Sequence, residues 1–379
     1  MPDPESRLCP DLGVAGDDFR PERIGPHPKL GRIHFAFSGG VFKGVAFAGV
    51  LRALFKRGVF PKSISGVSVS ALQVAAFAGA RTVGDLWKAL GIVIRKWDQV
   101  EKGGSGTIFP SLFPSGFAPA ELKRWWKGLR IWNSHGMVSN ASLRWLLEDI
   151  DPRRATRQDG VHVMVGVYEH KKNRGAHRLI SFRDKIFNPA EGGRREDVIE
   201  FTVASASIEP AFPPVEINGR KFADGFIIDL EPILLQEDPP DTILVFLCYP
   251  ESVQGGAEEA SLVSVLPGRV QRFIGFMLRH FPFADHFINH YLLMQHEFEE
   301  YLSIKSATRL AETIRLRKEV EALRCGDARP VRFPRIVVTH VPPSPALAAS
   351  KYSFSPGSLT ETLRAAERTT HRMLDSLLG

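Results

Sequence analysis

The sequence predicts an α/β fold: a mixed, mostly parallel central sheet covered by helices on both faces, with a helical C-terminal extension. Three observations carry this reading. A short apolar strand, a sharp turn and a helix occur twice in succession between Ile33 and Gly79. Further short apolar runs recur downstream with helical patterns between most of them, an alternation that favours parallel strands with crossover helices. From Ser261 to Leu323 the pattern becomes almost wholly helical.

In order along the chain, residues 1–30 are rich in Pro, Gly and Asp and lack periodicity, so they read as an extended N-terminal arm, with regular structure beginning at Ile33. Ile33 to Phe37 is a strand, Ser38 to Gly44 a glycine-bearing turn, and Val45 to Arg57 an amphipathic helix carrying Val50, Leu51, Leu54 and Phe55. Gly58 and Pro61 punctuate the chain before a second strand, Ser63 to Val67, and an Ala-rich helix from about Ala71 to Gly79. Strands are expected at Val161 to Glu169, His177 to Phe182, Lys221 to Ala223, Thr242 to Cys248 and Ile336 to Val341, and a closing helix at Ser358 to Leu378. The resulting domain plan is an arm over 1–30 and a domain over 31–379. Its core is 31–250 plus 331–379, and its helical insertion is about 255–328.

Composition narrows the function classes. The chain has 379 residues, 44% of them hydrophobic and 24% charged, ordinary for a globular protein and inconsistent with a disordered or fibrous one. A net charge of +7 favours anionic partners without choosing among them. Basic clusters at Arg153, Arg154 and Arg157, at Lys171, Lys172 and Arg174, and at Arg194 and Arg195 fall in loops or strand ends, where solvated surface is the simpler role. No recognition helix, finger or stacking-platform motif accompanies them, so nucleic acid is not an expected partner. Cys9, Cys248 and Cys325 are too widely spaced for a zinc site or a disulfide frame, which suits a reducing compartment. The acidic, proline-bearing N-terminus MPDPESRLCPDLG lacks the features of a signal peptide, and the apolar stretch Phe273 to Met294 is broken by Arg279, His280, Pro282 and Asp285. The expectation is a cytoplasmic protein with peripheral membrane contact. Export by a route without a signal peptide is the alternative.

Three segments carry chemistry. Gly66-Val67-Ser68-Val69-Ser70 sits between an apolar strand and a helix, where a strained elbow exposes a serine hydroxyl and small flanking residues let strand and helix pass closely. Ser70 occupies the second flank, where glycine is the better-known choice. Gly39-Gly40-Val41-Phe42-Lys43-Gly44 lies at the preceding strand-to-helix turn, able to aim several amides at one point. A phosphate loop is not completed there, because Lys43 is followed by Gly44 and Val45. Asp224-Gly225 closes the short strand Lys221 to Ala223; alone, such a pair is usually a turn.

Together and in this order, the three segments resemble the patatin-like phospholipase family, over roughly residues 31–250 with a weaker echo in the last strand and helix. Ser38 to Gly44 matches the family's glycine-rich oxyanion loop, Gly66 to Ser70 its G-x-S-x-G elbow, and Asp224 with Gly225 its aspartate-glycine pair. ASASIEPAFPP, residues 204–214, is similar to the stretch leading to that aspartate. Val41 replaces the third glycine, Ser70 the elbow's last glycine, and Phe226 a small residue after the pair. The resemblance implies a three-layer αβα fold and a lipid acyl hydrolase without metal or organic cofactor. Ser68 would be the nucleophile, Asp224 the base, and the amides of Gly39, Gly40, Val41, Phe42, Lys43 and Gly44 the oxyanion donors, with Gly66, Ser70 and Gly225 in support. Its substrates would be phospholipids or acylglycerols at an anionic membrane surface.

Two other readings stay open at this point. An α/β-hydrolase triad would add His340, which follows Ser68 and Asp224 in the order that fold demands. A lipid-binding protein of weak activity would keep the fold without turnover. Phe- and Trp-rich residues from Gly103 to Trp132, and the stretch Phe273 to Phe287, could serve as interfacial surfaces or as ordinary core.

Overall fold

The computed structural model describes residues 22–104, 107–108, 139–150, 154, 159–170, 175–183, 197–208, 212–236, 239–248, 302–317, 319–320, 334–342 and 356–379. The elements are β1 (Ile33–Phe37), α1 (Val45–Lys56), β2 (Ser63–Val67), α2 (Val69–Val74), α3 (Val83–Gly103), α4 (Ala141–Leu146), β3 (His162–His170), β4 (Ala176–Ser181), α5 (Asp197–Ser205), β5 (Val215–Ile217), β6 (Arg220–Asp224), α6 (Glu231–Leu234) and β7 (Thr242–Leu247). A helix over 302–317, α7, then precedes β8 (Arg335–His340) and α8 (Ser358–Leu378).

One mixed sheet runs β5-β6-β3-β2-β1-β7-β8, with β4 also paired to β3. The central pairings β3-β2, β2-β1, β1-β7 and β7-β8 are parallel, and the pairings of β3 with β4, β3 with β6 and β5 with β6 are antiparallel. Alternation along the strands splits their side chains between two cores. Phe35, Phe37 and Phe246 face the larger one beneath α1, α2, α3 and α8, whereas Ala36, Val67, Met164, Ile243 and Val245 face a smaller one closed by residues 228–234 and by Ile304, Ala307 and Ala311 of α7. The expected αβα layering is therefore present.

α1 is buried along ten of its twelve residues because it lies between the sheet and α8. Gly49 permits this: a Cβ there would come within 2.0 Å of the Leu363 carbonyl oxygen. α3 opens with a capping box in which the Thr82 hydroxyl and the Asp85 carboxylate reciprocally satisfy backbone amides.

Among the described residues the first regular element is β1 at Ile33, and the chain just before it is already held in place: Arg23 forms an isolated bridge with Thr82, the Ile24 amide donates to the Arg81 carbonyl, and Leu30 is buried. Extended backbone is held down here by main-chain pairing, a signal that side-chain periodicity cannot display. β5 was too short to stand out in the sequence. The helix expected over Ala71 to Gly79 is instead α2 followed by a 3₁₀ turn, Ala75–Phe77. Residues 249–301, most of 105–132, and all of the basic clusters except Arg154 lie outside the described residues; Arg154 forms an ion pair with Asp85 at 3.6 Å.

Candidate active site

The register of β3 brings the elbow and the aspartate together. Along β3, residues 162–166 pair with β2 and residues 167–170 with β6, while β4 pairs with residues 164–169. Because β4 takes one edge of β3, β2 and β6 share the other. They run in opposite directions and meet head to head, Val67 opposite Gly166 and Asp224 opposite Val167. Ser68 follows Val67 directly, so its hydroxyl and the Asp224 carboxylate converge at one junction.

That junction has no spare volume. A Cβ on Gly166 would meet Val67 Cγ1 at 2.3 Å, and one on Gly225 would meet the Gly166 carbonyl oxygen at 2.4 Å. Glycine after Asp224 is therefore a packing requirement. A Cβ on Gly66 would likewise crowd Ser70, at 2.8 Å from its carbonyl carbon.

Ser68 adopts φ 58°, ψ −133°, the strained conformation of a nucleophile elbow. Two serines hold it. The Ser70 hydroxyl accepts from the Val67 amide at 2.9 Å and lies 2.7 Å and 3.0 Å from the carbonyls of Val67 and Phe37, either of which can take its proton. The departure from glycine at position 70 thus adds an anchor. Ser205, at the end of α5, accepts from the Ser68 amide at 3.1 Å and donates to the Gly166 carbonyl. Two residues on, the Ser207 carbonyl accepts the Asp224 amide at 3.1 Å. One short segment thereby fixes both Ser68 and Asp224, and sequence reading assigned it no chemistry.

Asp224 is fully buried. Burial pushes its carboxyl up to about 7, opposed by the Ser68 hydroxyl and the Phe226 amide, which favour the charged form. The amide of Phe226 donates to Oδ1 at 2.8 Å, with Phe226 itself at φ 58°. Oδ2 has no partner of hydrogen-bonding geometry among the described residues. The hydroxyl of Ser68 lies beside the carboxylate, where it favours the charged form. His177, a residue the sequence did not single out, completes the surroundings: its Nδ1 lies 2.9 Å from the Gly225 carbonyl oxygen.

The glycine turn packs directly on Ser68. A Cβ on Gly39 would lie 3.0 Å from Ser68 Cβ and 3.7 Å from its Oγ. Val41–Gly44 form a 3₁₀ helix leading into α1, and the Lys43 amide donates to the Gly40 carbonyl at 2.9 Å. The Lys43 amide, one of the six expected oxyanion donors, is thus engaged within the turn itself, and the Lys43 side chain is buried. Val41 takes φ 50°. An apolar cavity opens from Ser68, walled by Val41, Leu72, Val93, Trp97, Ile108 and Phe212 among others. Of the Phe- and Trp-rich segment after Gly103, Ile108 is the described apolar residue, and it is core lining.

His340 is not part of this arrangement. It ends β8, three strand spacings or about 14 Å from the position of β2, beyond hydrogen-bonding reach of Asp224. Among the described residues no cluster of side chains suits a metal ion, and no helix is long and apolar enough to cross a membrane.

Comparison with known proteins places these features. No curated protein sequence matches the chain. Similar solved structures include VipD from Legionella pneumophila (10% identity, TM-score 0.38, 96% of this chain and 72% of that one). Human GIVD cytosolic phospholipase A2 bound to methyl γ-linolenyl fluorophosphonate is another (13%, 0.38, 98% and 61%), as is ExoU from Pseudomonas aeruginosa in complex with SpcU (11%, 0.33, 93% and 52%). The chain thus spans between about half and three quarters of these three relatives. The family model for patatin-like phospholipases matches residues 35–235, more than half of the chain and all three motif segments. The chain belongs to the patatin-like phospholipase family, a family of lipid acyl hydrolases.

Proposed function

We propose that the protein hydrolyses an ester of a glycerophospholipid or acylglycerol, with Ser68 as nucleophile and Asp224 as its base. The observation that carries this reading is the head-to-head meeting of β2 and β6 on one edge of β3, with Oδ2 of Asp224 unpartnered beside the elbow.

In the first half-reaction the ionised Asp224 accepts the Ser68 proton as Oγ bonds to the carbonyl carbon. The carbonyl π electrons move onto oxygen, and amides of the Gly39–Phe42 turn hold that charge, each worth about 3 to 4 kcal/mol in comparable sites. Collapse breaks the ester C–O bond, and the leaving alkoxide takes the proton from Asp224. Water repeats the cycle on the acyl-enzyme and restores Ser68. The buried carboxyl near 7 matches this work, since a base acts best when its pKa lies close to the working pH. No metal or organic cofactor enters the scheme. The apolar cavity beside Ser68 suits one acyl chain, and the net positive charge suits peripheral contact with an anionic membrane surface from the cytoplasmic side.

Mass spectrometry of mixed liposomes incubated with wild type and with Ser68→Ala tests the reading. Wild type should release free fatty acid and lyso or deacylated lipid, and Ser68→Ala none. Equal product from both proteins, or from neither, rejects it.

A further inference from the structure

We infer that Cys248 and Gln73 are positioning residues, and that they hold the glycine turn so that the Gly40 amide faces the reacting carbonyl. The inference rests on the proposed hydrolysis at Ser68.

The geometry begins with one peptide unit. The Gly39 carbonyl oxygen accepts from the Cys248 thiol just past the end of β7. The Ser38 hydroxyl lies 3.1 Å from the same oxygen and accepts the Cys248 amide at 3.1 Å. In a planar trans peptide the carbonyl and the next N–H point in opposite directions. A Gly39 carbonyl drawn toward Cys248 therefore turns the Gly40 N–H away from Cys248. Gly39 itself lies against Ser68, whereas a Cβ on Gly40 would meet Cys248 Sγ at 2.3 Å. The thiol thus occupies the volume that a side chain at position 40 would need, and the nucleophile lies along the other side of the turn.

Gln73 fixes the turn's other end. Its Nε2 donates to the Gly44 carbonyl at 2.8 Å from α2, the helix that begins at the nucleophile. Cys248 and Gln73 are both buried, and Gln73 Oε1 has no partner among the described residues. An amide placed with one half unsatisfied is poorly explained by stability alone, because an unmade buried hydrogen bond is costly. Between the two anchors Val41 holds φ 50°, a conformation that a valine keeps only when its surroundings impose it. Neither anchor supplies the oxyanion hydrogen bond; both act through the main chain that does.

The test uses the whole chain, a soluble p-nitrophenyl ester and a fluorophosphonate probe, whose phosphoryl oxygen needs the same donors as the oxyanion. Cys248→Ala should lower kcat and the labelling rate together by about tenfold to a hundredfold, within what loss of one oxyanion donor costs, and leave KM within about twofold by the same uniform-binding logic. Cys248→Ser, which keeps a donor, should recover most of both rates. Gln73→Met, which keeps length and loses the donor, should show the same split between kcat and KM. Should Cys248→Ala fail to fold, the serine and methionine variants carry the decision. A Gln73→Met or Cys248→Ala protein that reacts at the wild-type rate, or that loses KM and keeps kcat, overturns the inference while leaving hydrolysis at Ser68 intact. A wild type that neither turns over the ester nor takes the probe at Ser68 overturns both.

Discussion

Two turns of this molecule depart from glycine where the family uses it, and they do so with opposite consequences. At the elbow after β2, Ser70 brings a hydroxyl that joins the Val67 amide to the end of strand β1 or β2. At the turn after β1, Val41 brings a β-branched side chain to φ 50° and gains no hydrogen bond from it. The first substitution is self-supporting, and the second is borne by its neighbours. Both turns keep a strained residue, Ser68 at the elbow and Val41 at the glycine turn, but only the elbow carries its own side-chain hydrogen bond to support the strain.

The largest effect that bears on this contrast lies at Asp224, the proposed base. Asp224→Asn should reduce hydrolysis by roughly a thousandfold or more, the scale expected when a nucleophile loses its base. In wild type, kcat/KM should rise with pH through about 7 as the buried carboxyl ionises. Stability should move the other way. The folded-state pKa is raised, so the folded chain holds this proton more tightly than the unfolded one. The stabilisation is complete below about pH 4 and is lost as pH rises through 7. At pH 8 the buried charge costs the fold on the order of a few kcal/mol, and Asp224→Asn should melt several degrees above wild type. Thermal melts of both proteins at pH 5 and 8 check this; a variant less stable than wild type at pH 8 contradicts it.

Next in size is the elbow itself. Ser70→Ala leaves the Val67 amide without its partner in a buried site, at a cost of about 1 to 3 kcal/mol. Ser70→Gly should cost a similar amount although it restores the family's residue. Urea unfolding of the two variants measures this. If Ser70→Gly matches wild type, the hydroxyl is ornamental and the contrast with Val41 fails.

How much of this the sequence displayed depends on the range of the interactions. Ser68 and Asp224 each sit in a local pattern, so both could be named. The strands around them were legible for the same reason, since alternation and turn residues are short-range signals. The junction that unites them was not, because it depends on β3 lending one edge to two strands, and nothing within β3 says so. The contacts of Ser205, Cys248 and Gln73 were not legible for a related cause: each touches a main-chain group between 29 and 209 positions away. A helix such as α3 could have been found, because its Thr82-Asp85 box is written in consecutive residues.

A smaller effect is expected at Val41. Truncating a half-buried valine ordinarily costs stability, but here glycine also removes the penalty of positive φ. The two contributions oppose each other, so Val41→Gly should lie within about 0.5 kcal/mol of wild type by urea unfolding. A loss above about 1.5 kcal/mol would show that the side chain's packing outweighs the strain, and Val41 would cease to differ in kind from Ser70.

The smallest effect belongs to His340. Chain order allows it to complete a triad, but sheet order does not, because β1 and β7 stand between β2 and β8. A histidine that polarised Ser68 would have to lie within about 3 Å of its hydroxyl, whereas three strand spacings separate the two positions. His340→Ala should therefore leave kcat/KM within about twofold of wild type, against the several orders of magnitude that loss of a triad histidine costs. His177 is the more informative control, since it touches the Gly225 carbonyl beside Asp224. Replacing it by alanine should lower activity more than His340→Ala does, through displacement of the Asp224-Gly225 turn. Should the order of the two variants reverse, the shared edge of β3 would no longer account for how the site is built.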